Sequence, residues 1–403
     1  MKKIHIVTTG EIFGANGVSV FIRNLAYNFS SDKIKIESIS GVSSGKVVSW
    51  GLQDYKNGHD NYYGDDLVVV KTSKIKRDIK EKLKNIVFNS KILSFIFFLK
   101  FCLQSIIINF CYRNKKLDNH DIIFYQDFIS ASCSSLLKPE VKKVLILHSS
   151  EDAVSQLFIA IPGLDSTVGR LFIDMLLNHS ISNCEAVVTL GDSFKDKLSK
   201  INPDKKIVCI YNGTPLVDSR AINTNRSKSD KIRICCVGSI IARKGQDLLV
   251  SSLTKLFNEG YVNFECSFFG AGDKYFTDGL INETHNLRDN FLFRGVVDSP
   301  LSNEDFDLFI LPSRNEGLPL AIIEASSVAL PIIATNVGSI SEAFGDSIYL
   351  IEPNLDSLYC AIKEFMSDER LFQYYADLAF EKFEQELSFE CMEKKYISLF
   401  EGL

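Results

Sequence analysis

One stretch constrains the fold of this 403-residue chain more than any other: DLFILPSRNEGLPLAIIEASSVALPIIATNVGSISEAF, residues 307–344. It reads as a buried strand (Leu308 to Leu311), a polar turn ending in Glu316 and Gly317, a helix from about Pro319 to Val328, and a second strand from Pro331 to Ala334. Strand, helix and strand in that order specify a parallel pair with a crossover helix. Proline in the first helical turn sacrifices no intrahelical bond, and Gly317 just ahead lets the backbone approach a ligand closely. The turn therefore aims backbone N–H groups and the positive end of a helix dipole at the carboxyl edge of a parallel strand, where an anion such as a diphosphate is favoured.

Two carboxylates flank that site, Glu316 in the turn and Glu324 about a turn and a half into the helix. A carboxylate accepts hydrogen bonds from neutral hydroxyls, so the pair suits a ligand with hydroxyl groups on both sides of its phosphates, and a nucleotide sugar is such a ligand. The plainer alternative makes Glu324 a solvated helix residue and Glu316 a charge at a helix start.

A chain of 403 residues exceeds what one core usually holds, so two domains are expected. With 46% hydrophobic and 24% charged residues it reads as a soluble globular protein, and a net charge of −5 argues against nucleic acid as a partner. Ten cysteines are scattered without a Cys-x-x-Cys pair or metal-ligand spacing, which points to a reducing compartment. MKKIHIVTTG at the start contains only a four-residue apolar run, a first strand and too short for a signal peptide.

The first half alternates strands and helices. Ile4 to Thr8 is a strand, followed by a glycine-containing loop with Gly14 and Gly17 that runs into an amphipathic helix. Further strands are expected at Lys35 to Ile39, Leu67 to Val70, Asp121 to Tyr125 and Lys143 to Leu147. The last runs into His148, Ser149 and Ser150, which puts a histidine at the carboxyl end of a strand, where open α/β sheets carry their chemistry. Residues 71–84 hold seven basic side chains against Asp78 and Glu81, and an apolar block from Ile92 to Tyr112 follows. The block is long enough to span a bilayer, but Lys100 near its middle would cost roughly 3 kcal/mol. A span would also separate the strands at Ile4 and Ile122, which should share a sheet. Two readings of 71–116 stay open: helices buried under the N-terminal domain, or a basic and apolar surface that docks on anionic lipid.

The segments 185–198 and 205–215 continue the alternation, the latter ending in Asn212 and Gly213. Residues 217–230 are polar and read as a linker, so the expected domains are 1–216 and 231–385, with residues 386–403 a last helix. The second domain opens with KIRICCVGSIIARKGQDLLV: strand, glycine turn, basic pair, helix. Two more strands with turns follow at 263–273 and 290–300. The fold class is α/β, two doubly wound Rossmann-like domains facing each other across a cleft.

The succession VGSIIARKGQDLL, FFGAGD, FRGVVD and LPSRNEGLPLAIIEA resembles the retaining, nucleotide-sugar-dependent glycosyltransferases of family 4, which have the GT-B fold. The last segment matches that family's two glutamates separated by seven residues, and GANGVSVFIRNLA, VLILHSS and IYNGTP match it more loosely in the first half. The resemblance implies that Glu324 holds the nucleotide ribose and Glu316 contacts the transferred sugar. It implies backbone N–H groups of Gly317, Leu318 and Leu320 at the diphosphate or sugar, Pro319 having none, and Lys244 neutralising the leaving diphosphate. His148 would sit over the sugar, Gly17 would let its loop approach the phosphates, and Val297 would offer backbone contacts to the base. The family often has an arginine where this chain has Ser239, and Arg243 is the candidate to supply that charge. In GT-B enzymes the last helix crosses back to the N-terminal domain, which the spacing of Phe389, Tyr396 and Phe400 allows.

The expectation is therefore a cytoplasmic glycosyltransferase, peripheral to the membrane, taking a UDP- or GDP-sugar donor and a glycan or lipid-linked acceptor in bacterial surface polysaccharide synthesis. Neither a cofactor nor a metal is expected. The rivals are a catalytically silent GT-B subunit and another GT-B enzyme such as a sugar-nucleotide epimerase.

Overall fold

A computed structural model describes residues 1–13, 16–43, 46–64, 87–149, 154, 157–158, 161–217 and 231–403, the side chains of 59–64 and 303 apart. Of the sequence expectations, Gly14, Ser150, the strand at 67–70, the basic segment 71–84 and residues 218–230 of the linker lie outside this set. The chain divides into two compact units, Met1–Gly14 with Val18–Ile210 and Tyr396–Leu403, and Ala15–Gly17 with Tyr211–Lys395. The division near the middle falls at Ile210, where the sequence reading drew it at 216.

The first unit is built on seven strands: β1 (Lys2–Glu11), β2 (Ile34–Ser43), β3 (Lys46–Gly51), β4 (Ile122–Tyr125), β5 (Lys142–Leu147), β6 (Ala186–Thr189) and β7 (Lys206–Cys209), in the order β3-β2-β1-β4-β5-β6-β7. All neighbours are parallel except β2 and β3, a hairpin pair that the sequence reading did not anticipate. The central strands are short apolar runs buried at every position, as in β4 and β6, because helices cover both faces of a parallel sheet. Those helices include α1 (Gly17–Asn28), α2 (Lys91–Arg113) and α3 (Thr167–Ser182).

The second unit carries six parallel strands, β8 (Ile232–Val237), β9 (Phe264–Phe269), β10 (Phe291–Gly295), β11 (Leu308–Leu311), β12 (Ile332–Thr335) and β13 (Tyr349–Ile351), ordered β10-β9-β8-β11-β12-β13. Helix α4 (Gln246–Asn258) follows β8, and α5 (Leu320–Ser327) connects β11 to β12. Pro319 is the N-cap of α5 with extended backbone (φ −72°, ψ 132°), so the helix starts one residue later than the sequence suggests and ends at Ser327 rather than Val328. A proline N-cap contributes no side-chain acceptor to the first-turn N–H groups.

The last helix, α6 (Phe389–Glu401), ends in the first unit. There the ring of Tyr396 lies 5.3 Å from Phe124 and 6.2 Å from Phe21, Phe400 lies 5.4 Å from Phe124, and Lys2 Nζ donates to the Phe400 carbonyl at 2.8 Å. Phe389 belongs to the second unit, where its N–H bonds the Thr214 carbonyl.

The apolar block from Ile92 to Tyr112 is α2, and one of its faces is buried. Near one end Ser94 Oγ donates to the carbonyls of Val87 and Phe88 (2.8 and 2.9 Å), and at the other Tyr112 OH bonds the Ser38 and Ser40 hydroxyls of β2 (2.8 Å each). Hydrogen bonds at both ends thus tie this helix to its own domain.

Candidate active site

In each sheet the strand order reverses once, between β1 and β4 in the first and between β8 and β11 in the second. Open parallel sheets bind ligands at the carboxyl edge of such a reversal, because the two flanking connections leave on opposite faces and part the backbone there.

In the second unit the segments leaving β8 and β11 meet. After β8 the chain passes Gly238 and Ser239, makes a 3-10 turn over Ala242–Lys244, and enters α4 through Gly245 at φ +71°. A Cβ on Gly245 would lie 1.9 Å from the Pro312 carbonyl oxygen, so only glycine lets the two segments come this close. Arg314 N–H donates to the Arg243 carbonyl at 2.8 Å, and the Arg314 guanidinium holds Asp247 in a fork at 2.8 and 2.7 Å. From the other side the Gly317 carbonyl accepts from Ser339 N–H at 3.0 Å, and a Cβ on Gly338 (φ +66°) would come within 2.4 Å of the Glu316 carbonyl oxygen. The turn is thus fixed on both flanks.

Within this frame Glu316 is 5% exposed and accepts from Lys244 Nζ at 2.5 Å and Ser313 Oγ at 2.6 Å, with Arg243 NH1 3.6 Å from its second oxygen. Arg243 NH1 also donates to the Asn315 carbonyl at 2.7 Å. A buried carboxylate is tolerated only with such partners. The anionic partner of Lys244 at this helix start is Glu316 itself.

The remaining residues singled out in the sequence lie around this cluster or apart from it. Gly317 and Leu318 are buried in the turn, Leu320 opens α5, and Glu324 is half-buried one turn further on. Ser239 is exposed beside the β8 turn, where its carbonyl accepts from Gln246 Nε2 at 3.0 Å. Val297 is exposed beyond β10, whose turn bonds that of β9 through Gly270 N–H to the Gly295 carbonyl (2.7 Å).

Gly17 is the first residue of α1, and a Cβ there would meet nothing within 4 Å. His148 follows β5 in the first unit, its Nε2 3.2 Å from Gln126 Oε1 and its ring edge-on to Phe21 at 5.0 Å. These surroundings solvate an imidazolium poorly, so burial pushes its pKa from 6.5 down to about 4 and the ring is neutral near pH 7.

Sequence reasoning missed Ser313, which fixes Glu316, and Asn212, whose Nδ2 donates to the Leu318 carbonyl at 2.9 Å. It also missed Asp127, which follows β4 and binds the Thr8 and Thr9 hydroxyls at 2.8 and 2.9 Å. Asn212 was visible as a polar residue ending an apolar run, but no spacing rule ties it to a turn 106 residues away.

Known proteins supply the context for this geometry. The whole chain superposes on HepE of Anabaena, solved with UDP, at a TM-score of 0.69 covering 100% of both chains; with 13% identity the likeness is one of fold, and the fold is GT-B. Residues 231–368, which contain the cluster, match the group 1 glycosyl transferases. The chain is 35% identical to protein CapJ of Staphylococcus aureus over 137 residues, 32% of this chain and 34% of CapJ. It is 28% identical to the O-antigen biosynthesis glycosyltransferase WclY of Escherichia coli over 151 residues, 35% of this chain and 41% of WclY. The matches span between a third and a half of these two relatives. The likeness to the group 1 glycosyl transferases is thus carried by residues 231–368, the part of the chain that holds the Lys244–Glu316 cluster.

Proposed function

We propose that the protein is a retaining glycosyltransferase that moves a sugar from a UDP- or GDP-sugar to a glycan or lipid-linked acceptor, on the cytoplasmic side of the membrane, in surface polysaccharide synthesis. One observation carries the reading: Lys244, Arg243 and Glu316 converge at the strand-order reversal of the second unit, beside the start of α5. The names of HepE's ligand and of WclY's pathway agree with donor and process.

As the bond from the anomeric carbon to the diphosphate oxygen breaks, negative charge grows on the phosphate and positive charge on the sugar. Lys244 and Arg243 are placed to take the first, together with the N–H groups of Gly317, Leu318 and Leu320, and Glu316 the second. Fixed charges of both signs do this without a metal. Ser239 leaves a gap in positive charge relative to the family, and Arg243, beside Lys244, is the cation that fills it. Glu324 suits the ribose hydroxyls, Val297 the base, and Gly17 a close approach to phosphate. His148, a neutral imidazole, suits a sugar hydroxyl rather than a charge.

In a front-face reaction the acceptor oxygen forms the new bond on the side the diphosphate leaves, and its proton goes to the departing phosphate. Glu316 as covalent nucleophile is the other route to retention. Its direct pairing with Lys244 lowers its nucleophilicity and favours the front-face account.

The test is release of UDP or GDP from nucleotide sugars by the purified protein, donors being chosen by thermal stabilisation. Release that Glu316→Ala abolishes is expected. No release from any donor, with cell-derived acceptors present, would make the chain a silent subunit.

A further inference from the structure

Helix α2 is inverted relative to a helix on a water-soluble surface. Its core side carries Ser94, Gln104, Ser105 and Asn109, all buried, beside the core residues Phe98, Ile108 and Tyr112. The protein itself satisfies Ser94, Ser105 and Asn109: Ser94 Oγ donates to the carbonyls of Val87 and Phe88, Asn109 Nδ2 donates to the carbonyls of Ser105 and Ser130 (2.9 Å each), Ser105 Oγ donates to the Ser130 carbonyl at 3.1 Å, and Tyr125 OH donates to Asn109 Oδ1. The outer side carries Ile92, Ile96, Leu99, Leu103, Ile106 and Phe110, between 43% and 73% exposed. At 100° per residue these six fall within an arc of about 80°, one straight stripe along the helix. A mixed polar and apolar face inside with an unbroken aliphatic stripe outside is the pattern of a surface that faces an apolar medium.

The stripe does not stop at α2. Phe95 and Phe98 pack on Phe172 of α3 at 5.3 and 6.3 Å, and α3 exposes Val168, Leu171 and Met175 at i, i+3 and i+7. Among the described residues, the two helices hold eleven of the twenty exposed large hydrophobic side chains, so this is one patch and not scatter.

Charge decides what covers it. Helix α2 contains no acidic residue, and its exposed charges are Lys91, Lys100 and Arg113 along the flanks of the stripe, with Lys115 and Lys116 just beyond. The one acid of α3, Asp174, is exposed and lies about 90° round from that helix's apolar stripe. A second copy seated by two-fold symmetry would set cations against cations. A bilayer with phosphate headgroups above an apolar interior matches both parts, aliphatic side chains inserted and lysine stems reaching up to the phosphates.

We propose that α2 and α3 together form a platform that seats the first unit flat on an anionic lipid surface, α2 in the plane of the interface. The inference is independent of the transfer reaction, and its failure would leave donor turnover untouched.

Sedimentation of the full chain with vesicles tests it, using phosphatidylcholine with phosphatidylglycerol and phosphatidylcholine alone. The wild type should pellet with the mixed vesicles. A Leu99→Ser, Leu103→Ser, Ile106→Ser variant should lose at least about tenfold in partition coefficient, with an unchanged melting curve because the replaced side chains are exposed. Lys100→Gln with Arg113→Gln should weaken binding to the mixed vesicles only. No wild-type binding to mixed vesicles, or undiminished binding by the triple variant, overturns the proposal. A concentration-dependent dimer that the triple variant abolishes, without vesicle binding, would assign the face to a second copy.

Discussion

The reversal points of the two sheets are alike in topology and opposite in chemistry. In the second unit the carboxyl edge holds two cations and a carboxylate in direct contact, Lys244, Arg243 and Glu316. In the first unit the residues singled out there are neutral, His148 against Gln126, while Asp127 spends its carboxylate on Thr8, Thr9 and the N–H of Ser130. One edge thus holds opposed charges in contact, the other an uncharged pair and a carboxylate already engaged by hydroxyls and an N–H. The same scaffold yields both because its strands set only where side chains emerge, and the residues that follow each strand set what they can do.

The largest expected effect tests the charged edge. Lys244→Ala should lower kcat by about 10²- to 10³-fold with little change in KM, since in the proposed reaction the cation meets charge that appears at the transition state. A loss confined to KM would mean the lysine only binds ground-state donor and would weaken the contrast between the edges.

Next are the glycines that open each edge. Gly245→Ala should cost at least about 2 kcal/mol in urea unfolding, because the residue is at φ +71° and its Cβ would overlap the Pro312 carbonyl. Gly17→Ala should change stability by less than about 0.5 kcal/mol, since its Cβ would meet open space. Equal costs would mean the two turns are built alike.

The last expected effect is a pH dependence of the neutral edge. His148 titrates near 4 in the fold against 6.5 ordinarily, so as pH falls the unfolded chain takes up the proton first. The stability from the neutral ring is complete above about pH 6.5 and is lost as pH falls toward 4, a change on the order of 1 kcal/mol because the half-buried ring is partly screened by solvent. His148→Gln should flatten that slope in denaturation series between pH 7 and 4. An unchanged slope would show the imidazole to be solvated and remove the distinction.

Much of this arrangement was legible in the residues. Parallel strands at Lys143 to Leu147 and Leu308 to Leu311 follow from short apolar runs between helical patterns, and the placing of His148 and Glu316 at their ends follows from strand polarity. Local rules also had limits. Pro319 reads as a first helical residue because its φ is helical, but its ψ of 132° makes it a cap, and only the packing of the turn fixes ψ. The antiparallel edge strand β3 carries no signal stronger than its neighbours', and the register against β2 sets it. Lys244 and Glu316 were each visible as a candidate with its own role, one for phosphate and one for sugar. That they hold each other at 2.5 Å depends on Gly245 and Gly338 pressing two turns together from segments 72 residues apart.

The apolar block at 92–112 shows the division most clearly. Its length and composition establish a helix that no ordinary soluble surface requires, because hydropathy is a property of the residues alone. Which side of that helix is buried is a property of the sheet beneath it. There the Ser130 carbonyl and the hydroxyls of Tyr125, Ser38 and Ser40 claim the polar face through hydrogen bonds and leave the aliphatic face outward.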